Sequence, residues 1–268
     1  MSEEQSIKQM IKPNTRSSLH KDFLNLGLEK GMTVIVHTSL SSLGWVCGGP
    51  TAVIQALMDI IGEEGTIVMP TQTPENSDPS TWQMPPVPKD WWPIIREEMP
   101  AFDPNVTPVR GMGVIAETFR KFPEVSRSNH PTYSFAAWGK EAGHIISEQP
   151  LSAGFGSKSP LAKIYELDGH ILLLGVGHDS NTSLHFAEHY IEDREKVKKG
   201  TAMFENGTRI WKTYKEIDYD SDQFEALGKE FEDVYEVNCE NVGIATSKLI
   251  GQRLMVDFAR DWLQKKNG

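Results

Sequence analysis

Apolar and polar positions change period several times along the chain, and each change marks an element. From Thr15 to Leu28 the apolar points Phe23, Leu26 and Leu28 fall at helical spacing and Lys30-Gly31 closes the run, which predicts a helix. Met32 to Val36 is rich in β-branched residues and too short for a helix, so it predicts a buried strand of a parallel or mixed sheet, ending at His37. Helical periodicity resumes from Thr51 to Ile61, with Pro50 suited to a first helical turn where its missing N–H costs nothing. After the Gly65 break, Thr66 to Met69 reads as a second strand. Strand, loop, helix, strand is the repeating unit of an α/β fold.

Between Pro74 and Pro108, prolines and Trp82, Trp91 and Trp92 interrupt any long regular element, which predicts an excursion over one face of the molecule. Gly111 to Phe122 is helical in pattern, and His170 to Gly175, with Leu172, Leu173 and Leu174 in sequence, reads as another buried strand. Asp179 to Val197 reads as a helix with Ser180 and Asn181 as natural N-caps. Ala202 to Phe204 and Thr208 to Ile217 flank Asn206-Gly207, a hairpin signal because both turn residues tolerate positive φ. The expectation is an α/β fold, a single domain over residues 1–268 with mixed, partly parallel sheets flanked by helices, residues 1–14 forming a flexible leader.

Composition narrows the function. With 38% apolar and 24% charged residues in 268, the chain can bury a sizeable core, and disorder or a fibrous repeat is excluded. Cys47 and Cys239 are too few and too far apart for a disulfide framework or a thiolate zinc site. A net charge of -10 argues against nucleic acid as a partner, since that needs a basic face to displace counterions. It would suit a polycationic small molecule, although acidity also serves solubility alone. No run approaches the roughly 20 apolar residues of a membrane span and the start is polar, so the expected location is the cytoplasm, with no membrane partner.

Candidate chemistry concentrates in Gly175-Val176-Gly177-His178-Asp179-Ser180-Asn181-Thr182-Ser183-Leu184-His185-Phe186-Ala187-Glu188-His189, a strand end running through a polar loop into a helix. His185 and Glu188 are three apart and share a helix face. A carboxylate beside an imidazole fixes its tautomer and stabilises its cation, as a general base requires. Taken alone, such a pair is more often an imidazole satisfied by its neighbour and without chemistry. His189 completes His-x-x-Glu-His, the order of inverted zinc peptidases, which opens a metal-hydrolase reading through His185, Glu188 and His189. The Ser/Gly-rich loop from Thr38 to Gly49 precedes a helix start, where backbone amides can hold phosphate, but no Lys-Ser or Lys-Thr pair follows as in a P-loop. Gly111-Met112-Gly113-Val114-Ile115-Ala116 has the dinucleotide-fold spacing but follows a proline-containing loop, not a strand, and is rejected as that fingerprint.

Six segments in order resemble the aminoglycoside 3-N-acetyltransferase family: Val36 to Trp45 with Gly48-Gly49, Gly65 to Thr71, Thr107 to Gly113, Arg127 to Pro131, Ser159-Pro160-Leu161, and the stretch containing His185. The resemblance implies an α/β fold distinct from the GNAT fold and acetyl-coenzyme A as co-substrate with no metal. It further implies direct transfer of the acetyl group to the 3-amino group of an aminoglycoside or a related small-molecule amine. It places the catalytic base on His185 and its partner on Glu188. It assigns His37, Thr38, Ser39, Leu40, Ser41, Arg110, Gly111, Met112 and Gly113 to the coenzyme, and Thr73, Asn129, His130 and Asp179 to the acceptor. The zinc hydrolase, and a coenzyme A-binding protein without activity, are the competing readings.

Overall fold

The structure, a computed structural model, describes residues 3–267. After α1 (Glu3–Gln9) and α2 (Arg16–Leu26), β1 (Thr33–Thr38) leads through a 3-10 turn to α3 (Gly49–Ile61) and β2 (Thr66–Pro70). The proline-rich stretch carries only two 3-10 turns and α4 (Trp92–Glu98); then come α5 (Gly113–Phe119), β3 (Ser126–Arg127), β4 (Phe135–Gly139), α6 (Ala142–Ile146), α7 (Pro160–Glu166) and β5 (His170–Leu174). The rest of the chain forms α8 (Leu184–Glu188), β6 (Lys196–Glu205), β7 (Thr208–Ile217), α9 (Phe224–Val234), β8 (Asn238–Val242), β9 (Ala245–Gly251) and α10 (Gln252–Asn267).

A seven-stranded mixed sheet with order β3-β4-β2-β1-β5-β9-β8 forms the centre, as the sequence predicts. β1 pairs in parallel with both β2 and β5, while β4 and β9 close the flanks antiparallel. Alternating side chains of the central strands feed two cores. Val34, Val36, Ile67, Met69, Leu172 and Leu174 pack with Leu19, Phe23, Leu57 and Phe119 of α2, α3 and α5. Ile35, Val68, Ile171 and Leu173 pack with Leu161, Leu184, Leu227 and Met255 of α7 to α10. Burial on both faces is why these strands read as continuous apolar runs. β2 lies on one side of β1 and β5 on the other, and such a reversal leaves a crevice beyond the carboxyl ends of the strands.

Several boundaries differ from the pattern. β1 runs on through His37 to Thr38, held by pairing of His37 with Leu173 and of Thr38 with Leu174. The helix expected from Asp179 to Val197 is instead a 3-10 turn at His178–Ser180, the five residues of α8, and a turn that runs directly into β6. Asn181 leaves helical geometry at ψ 86° and its side chain accepts from Ser183 N, while Asp193 at φ 57° breaks any continuation. The hairpin is longer than its pattern: β6 and β7 pair over ten residues each, from Lys196 with Ile217 to Glu205 with Thr208, and Asn206 and Gly207 take positive φ at the turn. The residues expected as a leader carry α1; Ser6 is buried, and Asn14 donates to Leu43 O at 2.8 Å.

The excursion from Pro74 to Pro108 lies along this hairpin. Phe102 N and Asn76 Nδ2 both donate to Ala202 O, Thr201 Oγ1 donates to Asn76 O, and Arg209 donates to the carbonyls of Arg96 and Met99 at the end of α4.

Candidate active site

The carboxyl ends of β1, β2 and β5 open onto one cleft of about 870 Å³. One wall begins where β1 ends. Ser39 N donates to Leu174 O at 3.0 Å, anchoring the turn to β5, and the hydroxyls of Ser39, Ser41 and Ser42 bond among themselves. His37, Thr38, Ser39, Leu40 and Ser41 all line the cleft. Gly111, Met112 and Gly113 line it as well, Gly113 so close to β1 that a Cβ would stand 3.5 Å from Thr38 O. The facing wall comes from the segment after β5: Asp179, Ser180, Asn181, Thr182 and His185, with Ser221 and Phe224 beyond. The Ser39 turn, Gly111–Gly113 and His185, far apart in sequence, thus line a single cavity.

His185 is held on every side but the cleft. Its Nδ1 lies 2.5 Å from Glu188 Oε2. Its ring stacks on Phe155, centroids 5.0 Å apart and nearly parallel at 7°, and touches the rings of Tyr219 and Phe224. Glu188 is 1% exposed and does not itself line the cleft; its Oε1 accepts from Arg194 and from Asp220 N, the latter at 3.1 Å. In the tautomer in which Nδ1 donates to this carboxylate oxygen, Nε2 is the ring atom left with a lone pair. The arrangement can take a proton from a group in the cleft and stabilise the resulting imidazolium.

His37, at the end of β1, is 6% exposed; burial, reinforced by the nearby His185, lowers it to about 3 and keeps its ring neutral. His189 points elsewhere: its Nε2 is 2.8 Å from Tyr219 OH, and burial lowers it to about 4. His185 and Glu188 are occupied with each other while His189 is bonded to a tyrosine, so the three do not converge on one point as a zinc centre requires. Among the described residues no group of three His, Cys, Asp or Glu side chains is placed to hold a metal ion.

Besides Glu188, four candidates lie off the cleft lining. Arg110 is exposed and pairs with Glu75. Thr73 is buried and donates to Pro131 O at 2.6 Å, while His130, also buried, accepts from the backbone N–H groups of Thr132 and Tyr133. Thr73 holds the Pro131 turn against the chain after β2, and His130 braces the turn from within. Asn129 is exposed on the same turn. Conversely, Phe155, Arg194, Tyr219 and Asp220 surround the His185–Glu188 pair and were not legible as site residues. Arg194 and Asp220 lie in charged stretches with no motif, and only the tertiary fold brings them to Glu188. Both cysteines are free and exposed, and no helix of the described residues is long and apolar enough to cross a membrane.

Comparison with known proteins identifies relatives that match nearly the whole chain. The family described as Aminoglycoside 3-N-acetyltransferase matches over residues 35–264. The chain is 50% identical over 251 residues to the SPbeta prophage-derived aminoglycoside N(3')-acetyltransferase-like protein YokD of Bacillus subtilis (strain 168), covering 93% of this chain and 92% of that protein. It is 33% identical to aminoglycoside N(3)-acetyltransferase IX of Micromonospora chalcea, covering 95% of each. Among solved structures, Bacillus subtilis YokD superposes with a TM-score of 0.97 at 47% identity, over 98% of both chains. AAC-IIIb in a binary complex with CoASH superposes at 0.85, with 30% identity over 95% of this chain and 98% of that one. AAC-VIa bound to sisomicin superposes at 0.86, with 29% identity over 95% and 99%. By sequence across its length and by fold, the chain belongs to the aminoglycoside 3-N-acetyltransferase family, a family of acyltransferases.

Proposed function

We propose that this protein transfers the acetyl group of acetyl-coenzyme A to an amine of an aminoglycoside or closely related polyamine, directly, with His185 as general base. The observation that carries the proposal is the single cleft that sets His185, tied by Nδ1 to a buried carboxylate, opposite the Ser39 turn and Gly111–Gly113. The relative solved with CoASH and the relative solved with sisomicin supply the two ligand classes. A family coenzyme fits the donor set here. α3 begins beside the cleft at Gly49; Gly49 N donates to Val46 O at 2.9 Å and Pro50 has no N–H, so the first turn leaves the Thr51 N–H as its donor suited to phosphate.

At neutral pH the accepting amine is largely an ammonium ion, and only its free base can attack a thioester. Once the ammonium has given its first proton to water, the nitrogen bonds to the acetyl carbon as His185 Nε2 removes its second, and Glu188 stabilises the imidazolium. The first-turn N–H groups of Leu40 and Ser41, which a helical turn leaves without intrahelical acceptors, are suited to the carbonyl oxygen as its charge grows. The carbon–sulfur bond then breaks, and the leaving thiolate takes up the proton, giving free coenzyme A and the amide. Asp179, exposed on the cleft wall, is suited to hold a second ammonium of the acceptor.

Release of free thiol from acetyl-coenzyme A with a panel of aminoglycosides and simple amines tests the proposal, and product mass and NMR identify the nitrogen modified. His185→Ala should keep its fold and coenzyme affinity while turnover falls by roughly two to four orders of magnitude. Thiol release undiminished in this variant would remove His185 from the chemistry. Coenzyme binding with no thiol release for any amine would leave a binding protein without activity.

A further inference from the structure

The Glu188 carboxylate faces His185 on one oxygen and Arg194 on the other, and the arginine reaches it by a route that has no counterpart in helix geometry. After α8 the chain turns back at Asp193, in the left-handed region at φ 57°, and this returns the Arg194 guanidinium to Glu188 and to Asp218 O. Asp220 N completes the set at 3.1 Å. The carboxylate is 1% exposed and Arg194 23% exposed, so water screens the pair poorly. Resting on the reading of His185 as the base, we propose that Arg194 is a positioning residue for the reaction. Through Glu188 it fixes the imidazole, and it balances the buried carboxylate so that the ring rests unprotonated, ready to accept.

The charges on either side of the arginine give the reason. With Arg194 in place, Glu188 and Arg194 together are neutral, and the ring is free to stay neutral beside them. With Arg194 neutralised, a buried negative charge stands next to an imidazole, and the pair takes up a proton to compensate. A base already protonated at neutral pH cannot accept the proton of the amine. The other charged or titratable groups facing the pair leave this role to Arg194. His37 of β1 and His189 are both kept neutral by burial, at about 3 and about 4. Lys199 of β6 interacts with Glu188 but donates to Tyr133 OH and lies 3.8 Å from Glu216. Tyr133 and Tyr219 are pushed upward by burial and stay neutral, and Asp220 meets Glu188 through its backbone N–H. A second cavity of about 420 Å³ is lined by Arg194, Lys196, His189 and Ser152, so removing the guanidinium leaves a space open to small cations.

The test is the pH profile of kcat/KM for wild type, Arg194→Gln, Arg194→Met and Arg194→Lys, with the titration of His185 followed by NMR of histidine-labelled protein. In the two neutral variants the acid limb and the His185 titration should both move up by about one pH unit or more. Activity, reduced at least tenfold at pH 7, should recover toward pH 9. Arg194→Lys should keep both near their wild-type positions, and guanidinium ion should partly restore Arg194→Gln at pH 7. A loss that is uniform over pH with the His185 titration unmoved, or a lysine variant shifted as far as the glutamine variant, overturns the proposal. The His185 signal moves with Arg194 whether or not His185 is the base, whereas full activity of His185→Ala overturns the base assignment alone, so the two failures are told apart.

Discussion

Single side chains are packed with little room to spare, as the neighbours of His178 show. His178 is 1% exposed, its Nε2 2.7 Å from Glu232, and its ring lies against Gly228 of α9, where a Cβ would fall 2.0 Å from the ring. Gly228→Ala is expected to cost about 3 kcal/mol through overpacking of this fixed ring, read from the urea midpoint. An unchanged midpoint would mean the ring moves freely. At this scale the sequence was legible where partners lie on one turn of helix, as with His185 and Glu188. It was not legible for Arg194, six positions from Glu188, because the pairing depends on a backbone reversal at Asp193 that no periodicity encodes. Thr73 and His130 share motifs with the site yet spend their polar atoms on backbone, a distinction invisible until their partners are known.

Among the elements, the stretch entering α5 depends on Glu117. Its carboxylate accepts from Arg120, from Lys121 and from Val109 N at 3.0 Å, and so ties the approach to Gly111–Gly113 to the helix. Burial opposes its charge, but these bonds outweigh it and hold the carboxyl down at about 2. Because the folded value is depressed from 4.5, this stabilisation is complete above pH 4.5 and is lost as the pH falls through about 2. Glu117→Gln should flatten the melting temperature over that range and raise the KM for acetyl-coenzyme A more than it lowers kcat. An unaltered KM would separate this clamp from the coenzyme wall. Strands buried on both faces, such as β1 and β5, announce themselves as apolar runs. β8, Asn-Cys-Glu-Asn-Val and mostly exposed at the sheet edge, offers no such pattern. The helix expected through Val197 failed for the complementary reason: its second half is charged, and the chain there serves Glu188 and the hairpin.

For the whole molecule, buried neutral histidines make acid the weak side. Burial, aided by the nearby His185, takes His37 from 6.5 to about 3, and burial takes His130 likewise to about 3, whereas the unfolded chain protonates both near 6.5. Unfolding therefore lets each of these two rings bind an extra proton in this window. Stability should be whole above pH 6.5 and fall toward pH 3 with a limiting slope of about 2.7 kcal/mol per pH unit from these two groups. Urea unfolding at several pH values measures the slope, and the His37→Asn, His130→Asn double variant should flatten it; an equal slope in the variant would place the acid lability elsewhere. The parallel pairing of β1 with β5 has a further consequence, in time. Val34 meets His170 across most of the first two-thirds of the chain, so the crevice cannot exist until that long loop has closed. Local helices and the Asn206-Gly207 hairpin can form earlier. On dilution from urea, helical signal should return first and acetyl transfer last, and a nascent chain should acquire its catalytic cleft only near the end of synthesis.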